Sequence, residues 1–404
     1  MRESPVGKTG GASLDEPAAE DLREPATDLS PEELAEAREY GRLDLSCTIA
    51  DRLLDVVLLV AMTALFARPD AGLVQWIAGL TSIESLRLVI LFMVLVAISL
   101  VVGFPLSYYS GHVLEHRFQL SRQSLGRWLW RYAKRHALEL VLGTVLLVGL
   151  YWMIWLAGPW WWLVAAAGFF LVSIVLGQLA PVLILPLFYK IERIEGESSA
   201  ELQRRLARLA EGTGLAIEGV YRMDLSEETV KANAMLAGLG RTRRVLMGDT
   251  LLENFSPEEI EVIFAHEIGH HVYRHIHKMI ALGLAYSTAG FFVCDRLLGW
   301  WFGGSAQESL ADFYGSLPFY TLPAVMLILT LFAMLTEPLQ NAISRHFERQ
   351  CDRYALVRTG LRDAYVSAFR KLARQNKDDP DPHPLEVVLF HSHPPIRQRL
   401  AAAD

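Results

Sequence analysis

The chain has 404 residues, 52% of them hydrophobic and 21% charged, and its mean hydropathy is positive. That balance is too apolar for an ordinary soluble protein and points to a membrane protein with a soluble portion. A net charge of −7 gives no basis for nucleic-acid binding, and three widely spaced cysteines (Cys47, Cys294, Cys351) without a CxxC argue against a disulfide framework or a thiolate zinc site.

Residues 1–40 are rich in Glu, Asp, Ala and Pro and read as a disordered acidic tail with a short helix at 31–40. No basic stretch followed by an apolar core occurs there, so the tail is not a signal peptide. Apolar runs follow at 52–67, 88–107, 137–157, 160–187, 279–301 and 318–340. Most reach the roughly 20 residues a helix needs to cross a bilayer core; the first is short, and a buried amphipathic helix is its competing reading. Gly158, Pro159 and Trp160–Trp162 suit a membrane interface. The segment 108–136 concentrates Arg117, Arg122, Arg127, Arg131, Lys134 and Arg135, which places it in the cytoplasm. With about six spans, parity puts the tail and the blocks 188–278 and 341–404 on the same side. The predicted organisation is a tail (1–40), a four-span membrane domain (41–187), a polar block (188–278), a two-span hairpin (279–340) and a C-terminal polar block (341–404).

The block 188–278 opens with an amphipathic helix at 200–212, then strand-like runs at 219–223 and 244–247 with Asn233-Ala234 and Gly238 between them. Ser256-Pro257-Glu258-Glu259 then predicts a helix start, with Ser as cap, Pro at the first position and Glu three residues on. That start opens the stretch His266-Glu267-Ile268-Gly269-His270, an HExxH pattern. Residues four apart share a helix face, so His266 and His270 are placed to grip one metal ion. Zinc takes imidazole readily and uses three protein ligands in its catalytic sites. Glu267 is placed to take the proton of a water at that metal.

A third ligand is needed. His271, His275 and His277 fall on other faces or later turns of the same helix and suit a polar helix end before the fifth run. Beyond the sixth run, 344–356 and 361–376 read as helices, and Glu348 with Asp352 one turn later offers a ligand and an acceptor for a ligand histidine's free N–H. Arg345, Arg349 and Arg353 make an ordinary solvated face the competing reading, and the residues alone leave both open.

Taken together, these pieces resemble the type I CAAX prenyl protease family of integral-membrane zinc metalloendopeptidases, over roughly residues 31–404. The resemblance rests on Tyr108-Tyr109-Ser110 and Val113–Phe118, on Pro181–Ile184 with Pro186-Leu187-Phe188, and on Asn233-Ala234 with Gly238. It continues through Val245–Leu252, His266–His270, Ser344-Arg345 with Glu348 and Asp352, and His393-Pro394-Pro395 with Arg399. It implies a gluzincin-type peptidase with one zinc ion on His266, His270 and Glu348 and with Glu267 as general base. It further implies an edge strand at Asn233-Ala234 against which an extended substrate pairs. His393 and Arg399 would stabilise the developing oxyanion. In that family the spans enclose a chamber with the zinc site in its wall, and eukaryotic members carry a further span where this chain has its acidic tail.

The expected fold is therefore a mainly α membrane protein with about six transmembrane helices and a cytoplasmic α+β gluzincin-like zinc peptidase domain. The expected partners are a peptide or protein substrate, lipid-modified or not, and membrane lipids. The Ala- and Arg-rich composition suggests a bacterial inner membrane. Two other functions fit the same residues: a membrane quality-control metalloprotease acting on misfolded or stalled polypeptides, and a membrane scaffold with a relict zinc site.

Overall fold

The computed structural model describes residues 29–194, 197–215, 217–238, 243–303 and 309–403. Residues 1–28 of the expected acidic tail lie outside that set. What is described of the tail begins a helix. Ser30 caps it, accepting from Glu33 N–H at 3.2 Å while the Glu33 carboxylate accepts from Ser30 N–H at 2.8 Å, and Pro31 takes the first position. From there the N-terminal helix runs unbroken over Pro31–Phe66, so the helix expected at 31–40 and the first apolar run are one element. Gly41 is its single glycine, and one Gly costs about 1 kcal/mol against the propagation of the rest.

Four helical stretches among the described residues are long and apolar enough to cross a membrane: Glu84–Arg117, Leu125–Phe188, His275–Phe302 and Phe319–Thr359. The second is a hairpin. It turns at Gly158–Trp160, where Gly158 has φ 53°, and Trp161–Leu179 packs back against Leu125–Ala157. These stretches contain five of the six expected apolar runs. The run at 52–67 is outside them, being short and opening on Arg52 directly after Asp51, with Asp55 within it. Large apolar side chains such as Leu335 (82% exposed) and Trp300 (81%) point outward, as lipid-facing residues do. Inside the bundle, Trp161 Nε1 donates to Asp295 Oδ1 at 2.8 Å, which gives that buried indole and carboxylate a partner each.

A four-stranded sheet carries the rest: β1 (Ile191–Arg193), β2 (Ile217–Met223), β3 (Ala234–Ala237) and β4 (Arg243–Gly248), in the order β1-β2-β4-β3. β2 and β4 run parallel, and β3 pairs antiparallel with β4 alone, Ala234 opposite Met247. That leaves β3 at the sheet's edge.

Two helices flank the edge strand's neighbourhood. The motif helix, Pro257–Val272, carries HExxH. It stops because Arg274 takes a left-handed conformation (φ 56°), after which His275–Phe302 begins. His275 and His277, expected on later turns of the motif helix, thus open a membrane helix instead. The acid helix, Leu322–Thr359, joins the sixth apolar run and the expected helix at 344–356 without a break, even through Pro338. The expected boundaries at 278 and 340 therefore fall inside continuous helices, because no helix-ending residue marks either place.

Candidate active site

The motif helix starts as its residues dictate. Ser256 accepts from Glu259 N–H at 3.3 Å, and the Glu259 carboxylate accepts from Ser256 N–H at 2.7 Å. Glu259 also accepts from Ser367 Oγ (2.6 Å) and Lys371 Nζ (2.7 Å), which ties the helix to Arg362–Asn376. Phe264 and Ile268 bury one face in a core with Tyr365, Ala368 and Phe369. The face with His266 and His270 turns to the acid helix. Gly269 lets the two approach: a Cβ there would sit 3.0 Å from Cys351 Cα.

At this crossing Glu348 lies between both histidines. His266 Nε2 is 3.1 Å from Glu348 Oε2, and His270 Nε2 is 3.3 Å from Oε1. Glu348 is 4% exposed, and beyond the His266 ring its buried Oε2 has no hydrogen-bond partner. A buried, unsatisfied carboxylate oxygen is costly unless something else completes it. Two imidazole nitrogens and one carboxylate are hard-to-borderline donors that suit zinc. Cys351 Sγ also groups with ring nitrogens of His266 and His270, all within 4.8 Å of one another, a contact invisible to spacing along the chain. Its thiol is fully buried.

Behind His266, Nδ1 lies 2.9 Å from Asp352 Oδ1, and Arg399 grips Asp352 with Nη2 (2.6 Å) and Nε (3.0 Å). Burial pulls the His266 imidazole down, but Asp352 and Glu348 overcome it and raise it to about 9. Arg399 itself is 9% exposed and stacks over Phe369 at 4.0 Å, with Glu348 Oε2 3.7 Å away. Nε and Nη2 thus face Asp352, which takes them bidentately, while Arg399 also lines the cavity shared by Glu267 and Glu348. His393 reaches the site from outside, 61% exposed at the side chain, with Nε2 3.6 Å from Glu348 Oε1.

An open cavity of about 610 Å³ runs past these groups, lined by Asn233, Ala234, His266, Glu267, His393 and Pro394 among others. Glu267 also lines a second cavity of about 480 Å³ with Leu236, Met279 and Phe347. Burial pushes the Glu267 carboxyl above its ordinary range, against the pull of His266 and His270. Asn233 and Ala234 stand at the start of β3, and Asn233 O accepts from Gly248 N–H at 2.9 Å. The approach to β3 is braced by Lys231, which donates to Tyr40 Oη (3.0 Å) and Glu115 Oε1 (3.2 Å). Sequence reasoning missed this brace because its members are far apart in the chain. Of the other histidines, His271 faces Arg243 and His277 is exposed.

The chain matches two family models: "CAAX prenyl protease N-terminal, five membrane helices" over residues 20–190, and "Peptidase family M48" over residues 197–404. It is 27% identical over 398 residues to an uncharacterized metalloprotease, YhfN, of Bacillus subtilis, covering 98% of this chain and 91% of that one. It is 29% identical over 324 residues to CAAX prenyl protease 1 of Saccharomyces cerevisiae and 28% over 315 residues to the Arabidopsis thaliana homolog, each covering 76% of this chain and 70% of the relative. The crystal structure of S. mikatae Ste24p superposes with a TM-score of 0.74 at 23% identity, covering 93% of this chain and 89% of that one, which is a likeness of fold.

Proposed function

This chain belongs to peptidase family M48 and is an integral-membrane metalloendopeptidase, and from that premise we propose how it cuts and what it cuts. His266, His270 and Glu348 hold one zinc ion, with Asp352 accepting the free N–H of His266. The observation that carries this is the convergence of both Nε2 atoms on Glu348, whose buried Oε2 makes no hydrogen bond beyond His266, with Arg399 3.7 Å away. Bound zinc supplies a water acidified to a pKa of about 7 and polarises the scissile carbonyl.

The chain's own groups do the rest. Glu267, half-buried between two cavities, takes a proton and returns it to the leaving amine. Its raised carboxyl makes it a stronger base for the first transfer than an ordinary Glu. The substrate lies extended along the free edge of β3, beginning at Asn233-Ala234. His393, exposed and beside Glu348, donates to the developing oxyanion. Arg399 holds Asp352, and through it His266, in place.

The natural substrate is a polypeptide whose lipid-modified C-terminal region is cut on the cytoplasmic side of a bacterial inner membrane. Support comes from the CAAX prenyl protease relatives and from the basic segment 108–136. The test compares a farnesylated CAAX peptide with the same peptide unmodified, for the parent and for Glu267→Gln. Glu267→Gln is expected to keep zinc and lose cleavage, and cleavage undiminished in that variant would sink the mechanism. Equal cutting of both peptides would sink the substrate assignment and favour the quality-control protease.

A further inference from the structure

His270 keeps a second ring nitrogen, Nδ1, on the side away from Glu348, and it lies 3.2 Å from Nδ1 of His275. His275 is 2% exposed, and its Nε2 lies 2.9 Å from Gln350 Oε1. The amide nitrogen of Gln350 in turn lies 3.2 Å from His346 Nε2. With the Gln350 amide oriented as it stands, these contacts define a set of protons. Gln350 presents its oxygen to His275, so His275 Nε2 is the donor. A neutral imidazole has one donor and one acceptor nitrogen, which leaves His275 Nδ1 as a bare lone pair. His270 must then donate from Nδ1, with Cys351 Sγ approaching the same lone pair at 3.6 Å. The remaining lone pair of His270 sits on Nε2, 3.3 Å from Glu348.

We propose that His275, held by Gln350, is a positioning residue that locks His270 in the Nδ1–H tautomer and so frees Nε2 for zinc. It does for His270 what Asp352 does for His266, and it rests on the ligand set given above. Ligand histidines generally donate their other N–H to such a partner, which fixes ring and tautomer together. Here the partner is a neutral ring, so it orients the ligand without adding charge to the site.

The backbone explains how two residues five apart come face to face. In an uninterrupted helix they would point about 140° apart. The left-handed Arg274 ends the motif helix and restarts the chain as His275–Phe302, which swings His275 back toward His270. The ring plane is then set by stacking on Phe347 (4.1 Å between centroids, 9° between planes) and Tyr273 (5.7 Å, 22°).

The experiment measures zinc dissociation constants of the full-length protein in detergent by competition with a chromophoric chelator. His275→Phe keeps the aromatic stack and removes both nitrogens; zinc affinity is expected to fall about 10- to 100-fold. His275→Asn restores an acceptor where Nδ1 stood and is expected to recover most of the loss, a rescue that a packing role would not give. Gln350→Leu, at a half-buried position, is expected to fall between them, and His277→Ala to match the parent. Parent-like zinc binding by folded His275→Phe overturns the proposal. If that variant does not fold, Gln350→Leu decides, and an unchanged dissociation constant there overturns it. His270→Ala is the separate control: unchanged binding in that variant overturns the ligand assignment itself.

Discussion

Gly269 stands between His266 and His270 at the closest approach of the motif and acid helices, and Gly269→Ala tests how tightly that approach sets the site. The added methyl would lie 3.0 Å from Cys351 Cα and 3.1 Å from its Sγ, where ordinary contact begins at 3.4 Å. A backbone atom cannot swing aside, so the helices must part by roughly 0.5 Å. Two stability effects oppose each other. Alanine gains about 1 kcal/mol over glycine in a helix, and overpacking costs about 1–3 kcal/mol, leaving a net loss of about 0–2 kcal/mol. Zinc is more demanding, because both histidines ride on one helix and Glu348 on the other. Zinc–ligand distances hold within about 0.2 Å, and a 1 Å misplacement costs about 100-fold, so about tenfold loss of zinc affinity and cleavage is expected. Chelator competition, peptidase rate and thermal unfolding, measured on one preparation, separate the two effects. Adding Cys351→Ala removes Sγ but not Cα, so recovery should be partial. Parent-like zinc binding by Gly269→Ala would refute the idea that this glycine sets the span of the site.

Arg399→Met strands Asp352, which is 1% exposed, and should lower stability by about 3–5 kcal/mol in thermal or denaturant unfolding; an unchanged midpoint would mean the arginine does not hold Asp352. Asp352→Asn should weaken zinc about 10- to 100-fold by chelator competition while leaving Glu348 in place. In zinc-free protein His266 is raised from 6.5 to about 9, so its proton stabilises the fold fully below pH 6.5 and that stabilisation is lost as pH rises through about 9. The same proton competes with zinc, so apparent zinc affinity should climb with pH up to about 9, and a flat titration would contradict the ring's environment. Because Glu267 must be ionised to act as a base and its carboxyl is raised above 4.5, cleavage should fall with acid through a midpoint above 4.5 in a pH–rate profile.

Local grammar made parts of this molecule readable. The capping box at Ser256 and the four-residue spacing of His266 and His270 are short-range facts, and the helix they describe is where it was expected. Glu348 was readable only as half of an even choice, since Arg345, Arg349 and Arg353 offer the same helix as a solvated face. Arg345 in fact donates inward to Val387 O and His391 O. Arg399 lines the cavity, but its grip on Asp352 is a tertiary contact between residues 47 apart that spacing does not reveal. His275 was set aside because an unbroken helix would carry it to another face; a single left-handed residue reverses that, and nothing about Arg274 announces it. The joined helices at residues 278 and 340 were divided where composition changes, although composition does not end a helix.

That last point has a mechanical consequence. The acid helix is one rod from the outward-facing Leu335 to the buried Glu348, 13 residues along. At 1.5 Å per residue the arm is about 20 Å long, so a change of tilt by about 3° carries Glu348 about 1 Å. Membrane helices change tilt to match the thickness of the surrounding hydrocarbon. A change of bilayer thickness that retilts this helix is therefore expected to alter the span between Glu348 and the two histidines, and the turnover of one preparation in short-chain and long-chain lipid discs would read it out.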